Sequence, residues 1–285
     1  MYFALFLLLL VAVPLGIFFY LYRLVQTLPA NHPLAFLEEL EPGDQRKIIV
    51  CAGDGITQGT MGVGYVDVLA DKVDLRQYHL INAGVNGDLS EHLMDKKRLD
   101  EIIACNPNFV VILIGTNDVN AMLDDNNLLV YRRLKKVKEK PFIDQFRQNL
   151  NQIITSLKTR TQAKVAIMSI PLIGEKLNDK ANIQTQAYND VIKQLADSNR
   201  ITYLPLQEKQ KAFLMKTNFN PKLKYKSTNR LIAISMFRRY ILGQSFDKIT
   251  ALNGFLMTPN YLHLNTFGAN MVAGLVKDFV EGKVR

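Results

Sequence analysis

The sequence predicts an α/β protein whose parallel sheet is covered by helices on both faces. Three observations carry this. Five short, nearly continuous apolar runs recur along the chain, amphipathic stretches of helical length separate them, and glycine and asparagine gather where the runs end. Strands apolar on both sides suit a buried parallel sheet, and the stretches between them supply the crossover helices that parallel pairing needs.

The first element precedes the sheet. Residues 2–22 carry no charged side chain, and about 20 apolar residues at 1.5 Å each cover a hydrocarbon core of roughly 30 Å. A cleaved signal would show a basic start and a shorter apolar stretch. An uncleaved, single-pass transmembrane helix over residues 1–25 is therefore expected, with Pro14 and Gly16 tolerated inside it. Its first flanking cation is Arg23, which leaves the side of the membrane open. Residues 26–45 are polar and acidic with three prolines, and read as a tether.

A single domain is expected over residues 46–285. Its strands are predicted at 47–51, 79–82, 109–114, 164–170 and 201–204. Helices are predicted near 63–73, 89–105, 142–160, 181–199 and 266–280. Two segments, 119–141 and 207–259, are longer than ordinary connections, so they form either lids over the sheet edge or extra packed helices.

Charge is lopsided at +9, which suits an anionic partner such as a phospholipid surface, an acidic glycan or nucleic acid. Much of the excess lies in 132–138 and 222–239. These stretches are either solvated faces or weak attractors for an anionic surface. The first has no aromatics interleaved for base stacking, so nucleic acid is not expected. Cys51 and Cys105 are too few for a disulfide framework and read as small core residues. His32, His79 and His92 have no ligand spacing with acids or cysteines, so no metal site and no cofactor is expected.

Chemistry concentrates where the strands end. Ala52-Gly53-Asp54-Gly55-Ile56-Thr57-Gln58-Gly59 is a glycine turn between a strand and a helix. A dinucleotide fold would also need an acidic residue at the end of the second strand. That strand ends Leu80-Ile81-Asn82-Ala83-Gly84, without one. Three more clusters follow: Asn82-Ala83-Gly84-Val85-Asn86-Gly87-Asp88, Gly115-Thr116-Asn117-Asp118, and Asn260-Tyr261-Leu262-His263-Leu264-Asn265. Each alone is ordinary turn chemistry. Their order and placement are not.

With these blocks the chain resembles the SGNH/GDSL hydrolase family of esterases and lipases, over about 240 residues from Arg46 onward. The resemblance implies a three-layer α/β/α sandwich with a five-stranded, flavodoxin-like parallel sheet and a site at the carboxyl ends of the strands. It also implies a serine nucleophile, a histidine base oriented by an aspartate three residues earlier, and an oxyanion hole. His263 matches the base, Gly87 the block-two glycine and Asn117 the oxyanion asparagine. Gly55 stands at the serine position, where its N–H still serves the hole, and Asn260 stands at the aspartate position.

Glycine has no atom that can attack a carbonyl, and in serine proteases replacing the aspartate by asparagine costs about 10⁴ in turnover. Thr57, Asp54 and Ser169 are poor substitutes, because the motif aims none of them at the carbonyl. A water beside His263 is the better alternative nucleophile. Three functions follow as expectations. The first is a membrane-anchored, degenerate ester hydrolase (a pseudoenzyme) that binds an acyl ester, lipid or acylated glycan, without forming an acyl-enzyme. The second is an active esterase or lipase using water or another nucleophile. The third is an interaction module of a membrane assembly.

Overall fold

The computed structural model describes residues 2–221, 223–226 and 228–284, and their side chains outside residues 3–9. Before the sheet come α1 (Tyr2–Gln26) and α2 (Pro33–Glu39). Strands and helices then alternate: β1 (Lys47–Gly53), α3 (Gly55–Gln58), α4 (Tyr65–Ala70), β2 (Tyr78–Gly84), α5 (Ser90–Met94), α6 (Lys96–Ala104), β3 (Phe109–Leu113), α7 (Thr116–Leu123) and α8 (Asp125–Lys135). The chain continues through α9 (Ile143–Arg160), β4 (Lys164–Met168), α10 (Lys180–Asn199), β5 (Thr202–Leu204), α11 (Leu206–Lys216), α12 (Thr228–Tyr240), α13 (Phe246–Leu252) and α14 (Thr266–Val280).

All strand pairs are parallel, in the order β2-β1-β3-β4-β5. This is the flavodoxin-like sheet that the family resemblance implied. Alternation along the central strands splits the core in two. Val50, Ala52 and Ile112 face a cluster with Phe146, Ile153 and Val191 of α9 and α10. Ile49, Cys51 and Val111 face the other side, with Tyr65 of α4 and Val272 and Phe279 of α14. Three layers result, and each cysteine is buried in one of the two cores.

Several expected boundaries move, each for a local reason. The helix expected over 89–105 is two helices, because Asp95 leaves helical geometry and its carboxylate accepts the Lys97 N–H at 2.9 Å, capping α6. The fourth strand ends at Met168 and not at 170, since the Ile170 N–H donates to Asn189 Oδ1 at 2.7 Å. Both long segments carry packed helices, α8 in the first and α11 to α13 in the second. Lys222, which opens the second basic stretch, lies outside the described residues.

The segment read as a tether is more ordered than its composition suggests. It holds α2, whose Phe36 is buried in the main core, and Asn31 pairs with β2. The Asn82 N–H donates to Asn31 O at 3.0 Å, and Asn31 Nδ2 donates to Leu80 O at 2.9 Å. An otherwise open sheet edge is thereby covered. Upstream, α1 runs through the expected membrane span. Among the described residues no helix is long and apolar enough to cross a membrane. The expected span depends on the side chains of residues 3–9, which lie outside those described.

Burial and hydrogen bonding decide whether a segment resists cleavage. Residues 28–40 should therefore survive limited proteolysis in the native chain. Phe36→Ala combined with Asn31→Ala should raise the cleavage rate there by about tenfold or more, because local opening becomes cheaper. Rapid cutting of the unaltered chain within 28–40 would contradict the packing of α2.

Candidate active site

β1 delivers the chain to the carboxyl edge of the sheet, where Asp54 caps α3: its Oδ1 accepts the Ile56 N–H at 2.9 Å. Its other oxygen is buried without a described partner, and burial, reinforced by Asp118 and Asp88, pushes the carboxyl up to about 7. Asp54 is thus a helix cap. Gly55 opens α3, so its N–H has no intrahelical acceptor. A Cβ placed on Gly55 would lie 3.0 Å from His263 Nε2. The serine position and the base position therefore meet, as the motif spacing implied.

The same Cβ would lie 2.6 Å from Asn86 Oδ1. Asn86 Oδ1 thus crowds the place that any side chain at residue 55 would take, and Asn86 is held there on two sides. Its backbone N–H donates to Gln58 Oε1 at 2.5 Å, and its Nδ2 donates to Val25 O at 2.8 Å. Gln58 Nε2 donates in turn to Thr27 O at 2.8 Å and Val25 O at 3.2 Å. Carbonyls at a helix C-terminus lack intrahelical donors. Two side chains of the family's site loops thus cap the end of α1.

His263 is buried, and burial lowers its imidazole to about 4. Asn260 Oδ1 accepts both the His263 backbone N–H and the ring Nδ1–H, each at 3.0 Å, while Asn260 Nδ2 donates to Met61 O at 3.1 Å. This network assigns the amide orientation and the ring tautomer. Asn260 therefore keeps the Nε2 lone pair aimed at residue 55. What it lacks is the charge to stabilise an imidazolium.

The oxyanion candidates are partly committed elsewhere. Asn117 Nδ2 donates to Asp88 O at 2.8 Å, and Asn117 Oδ1 accepts from Tyr131 Oη at 2.7 Å. Gly87 has φ +75°, and a Cβ there would stand 3.0 Å from Lys135 Cε, whose ammonium binds Asp88 Oδ1 at 2.7 Å. None of the described hydrogen bonds uses the Gly87 N–H. The structure brings Gly55, Gly87, Asn117, Asn260 and His263 to the carboxyl edge of the sheet, all buried except the half-buried Gly87. Lys135 of α8 stands against Gly87, and the end of α1 against Asn86. Thr57 and Ser169 are engaged elsewhere, Thr57 with Tyr65 Oη and Ser169 with the Gln207 N–H and Glu208.

Sequence reasoning assigned no role to Asn86, Gln58 or Tyr131. Asn86 lies inside the second block, one residue before Gly87, so its position was visible and its occupancy was not. Gln58 follows the glycine turn, and Tyr131 sits in the first basic insertion with no motif to single it out. His32, His79 and His92 are structural: His32 meets Arg98, His79 pairs with Asp44, and His92 Nδ1 accepts the Leu89 N–H.

A family model described as the GDSL-like Lipase/Acylhydrolase family matches residues 51–269. An acetylxylan esterase from Geobacillus stearothermophilus is 27% identical over 155 residues, 52% of this chain and 65% of that protein. The matched region thus spans less than two thirds of that relative. Among solved structures, the acetyl xylan esterase AlAXEase superposes with a TM-score of 0.58 at 22% identity, covering 82% of this chain and 99% of that one. Axe2, an acetylxylan esterase from G. stearothermophilus, gives 0.56 at 19%, covering 82% and 94%. A lipase/acylhydrolase from Enterococcus faecalis gives 0.53 at 19%, covering 84% and 97%. At these identities the superpositions establish the fold.

The imidazole environment has a measurable consequence. His263 should titrate near 4 by NMR of the labelled ring, and Asn260→Asp should move that midpoint upward. An unfolded histidine titrates near 6.5, so between these values the unfolded chain binds the extra proton. Stability due to His263 is therefore lost as pH falls through that window. A midpoint near 6.5 in the folded chain would overturn the buried, neutral assignment.

Proposed function

The chain belongs to the GDSL-like lipase/acylhydrolase family, and on that premise we propose that it is a membrane-anchored member that binds an acyl ester without forming an acyl-enzyme. The observation that supports this most is the contact at Gly55: the serine slot points at His263 Nε2, yet it holds the Asn86 amide and no nucleophile. Asn260 supports it further, since it orients the base without the charge that turnover demands.

The ester class follows from the relatives, several of which are named acetylxylan esterases. An acetylated glycan is the first candidate and an acylated lipid the second. Gly55, Asn117, Asn260 and His263 are buried and Gly87 is half-buried, so a ligand reaches the site only through local opening. Residual binding would use the N–H groups of Gly55 and Gly87 with the free N–H of Asn117, which are neutral donors suited to an ester carbonyl. The anchor rests on the uncharged run over residues 2–22 and on α1 being 25 residues long.

A second possibility has its own support. Asn86 Oδ1 has no described partner, and His263 Nε2 also faces residue 55. A water donating to His263 Nε2 near residue 55 would be activated by it as a general base, slowly.

The test uses the full-length chain with acetylated xylo-oligosaccharide, following binding by calorimetry and free acetate in parallel. Binding with acetate at background is expected. Acetate release that disappears in His263→Ala would favour the water mechanism, and absence of binding would remove the glycan ligand. Gly55→Ser alone should stay at background, because the added carbon displaces the Asn86 amide. The variant combining Gly55→Ser, Asn86→Ala and Asn260→Asp should hydrolyse a short p-nitrophenyl ester about tenfold or more above background. Equal activity with and without Asn86→Ala would show that Asn86 is no obstacle.

A further inference from the structure

We propose that the outer face of α12 is a lipid-binding surface that lies on the anionic headgroups of the bilayer entered by α1. This rests on the membrane-anchor part of the function proposed above. Between Glu208 and Asp247 the sequence holds nine lysines and arginines and no carboxylate. Such a stretch is attracted to a negatively charged surface and contains no carboxylate to neutralise it. Arg239 does stack over the Tyr240 and Phe246 rings, and Arg238 donates to Asn253 Oδ1. Among the described residues no carboxylate pairs with Arg230, Arg238 or Arg239.

The apolar part of the face selects lipid over a polar polyanion. Arg230, Ile234, Phe237 and Ile241 recur at helical spacing, with Leu242 next to Ile241. Phe237 is 39% exposed, Ile241 37% and Leu242 55%. Large apolar side chains among arginines are what an interfacial helix presents to the boundary between headgroups and acyl chains. The opposite face is fixed to the domain: Ser235 and Met236 are buried, and Ser235 Oγ donates to Pro259 O at 3.1 Å.

Position relative to α1 completes the argument. α12 packs against α1. Tyr240 Oη donates to Thr60 O at 2.8 Å, two residues beyond the Gln58 that caps α1. Both helices are thereby tied to one loop, so their relative height is set. Tyr20 and Tyr22 stand at the end of the uncharged run, just before Arg23, where aromatic residues mark the membrane interface. Tyr20 is near enough to Tyr240 to influence its phenol. The exposed end of α12 therefore sits at headgroup level.

The experiment uses the full-length chain in phosphatidylcholine vesicles with or without phosphatidylglycerol, with brominated lipid as quencher. Cys51 and Cys105 are buried, so a fluorophore attaches selectively at Leu242→Cys, Val13→Cys or Leu75→Cys in separate samples. Quenching is expected at positions 13 and 242 and not at 75. At 242 it should fall by about twofold or more when phosphatidylglycerol is omitted, or when Arg238→Glu and Arg239→Glu are introduced. The lipid exchange needs no further substitution, so it stands even if the charge reversals disturb folding. Quenching at 13 with none at 242 would overturn the surface and leave the anchor intact. Quenching at 242 with none at 13 would remove the anchor and retain the surface. Equal quenching at 242 in both lipids would overturn the assignment to anionic headgroups.

Discussion

A Cβ at residue 55 would meet both His263 Nε2, at 3.0 Å, and, at 2.6 Å, the oxygen of the Asn86 amide. Its nitrogen donates to the end of α1, and its backbone N–H is taken by Gln58, which also reaches α1. A side chain at residue 55 would have to push the Asn86 oxygen aside and break the bond to Val25. Leaving buried polar groups unpaired costs about 1–3 kcal/mol each. The glycine at 55 and the seating of α1 are therefore one constraint seen from two sides. The loops after β1 and β2 thus also hold the end of α1, through Gln58 and Asn86.

Around this contact burial shifts three titratable groups toward their neutral forms. Asp54 and Asp118 are pushed up to about 7 and about 6, and His263 down to about 4, each mainly by burial. All three shifts favour the neutral form. Asp118 is held by the Ser90 N–H and hydroxyl, and Ser90 Oγ accepts from Asn149, so its role is to fix the start of α5 against α9. Tyr131, Asn120, Asn127 and Tyr225 form a second neutral network that ties both insertions to Asn117. These networks fix the loops around the site, while Asp54 Oδ2 and Asn86 Oδ1 stay buried without a described partner beside residue 55. The cations nearest the site, Lys135 and Arg98, are paired with the buried Asp88.

The sheet was legible because parallel strands buried on both faces leave an unmistakable apolar run, and the order of motif blocks then implied their arrangement. His263, Gly55, Asn260, Gly87 and Asn117 were legible through the resemblance of their blocks to the family's motifs, which implied that they meet at successive strand ends. What sequence could not convey was occupancy. An asparagine beside a glycine reads as a turn, and nothing in its identity says that its amide lies against a residue 31 positions away. The break at Asp95 was hidden because a capping aspartate and a surface aspartate on a continuous helix look alike until the backbone turns. α2 was hidden by composition: proline and acid suggest a linker, while the packing of Phe36 and the pairing of Asn31 depend on a sheet edge distant in sequence.

The asparagine at 260 follows from the same constraint as the glycine at 55. An aspartate beside a catalytic histidine is useful because it stabilises the imidazolium formed when a nucleophile gives up its proton. With no hydroxyl at 55 no such proton arrives, and a buried carboxylate would carry its desolvation cost without return. Asn260 keeps both bonds to His263, to the backbone N–H and to Nδ1–H, and adds one that a carboxylate cannot make, from Nδ2 to Met61 O. An ionised aspartate would set two oxygen acceptors about 3 Å apart at that place. Once residue 55 is glycine, asparagine is the better structural residue, and the two departures from the family pattern reinforce each other.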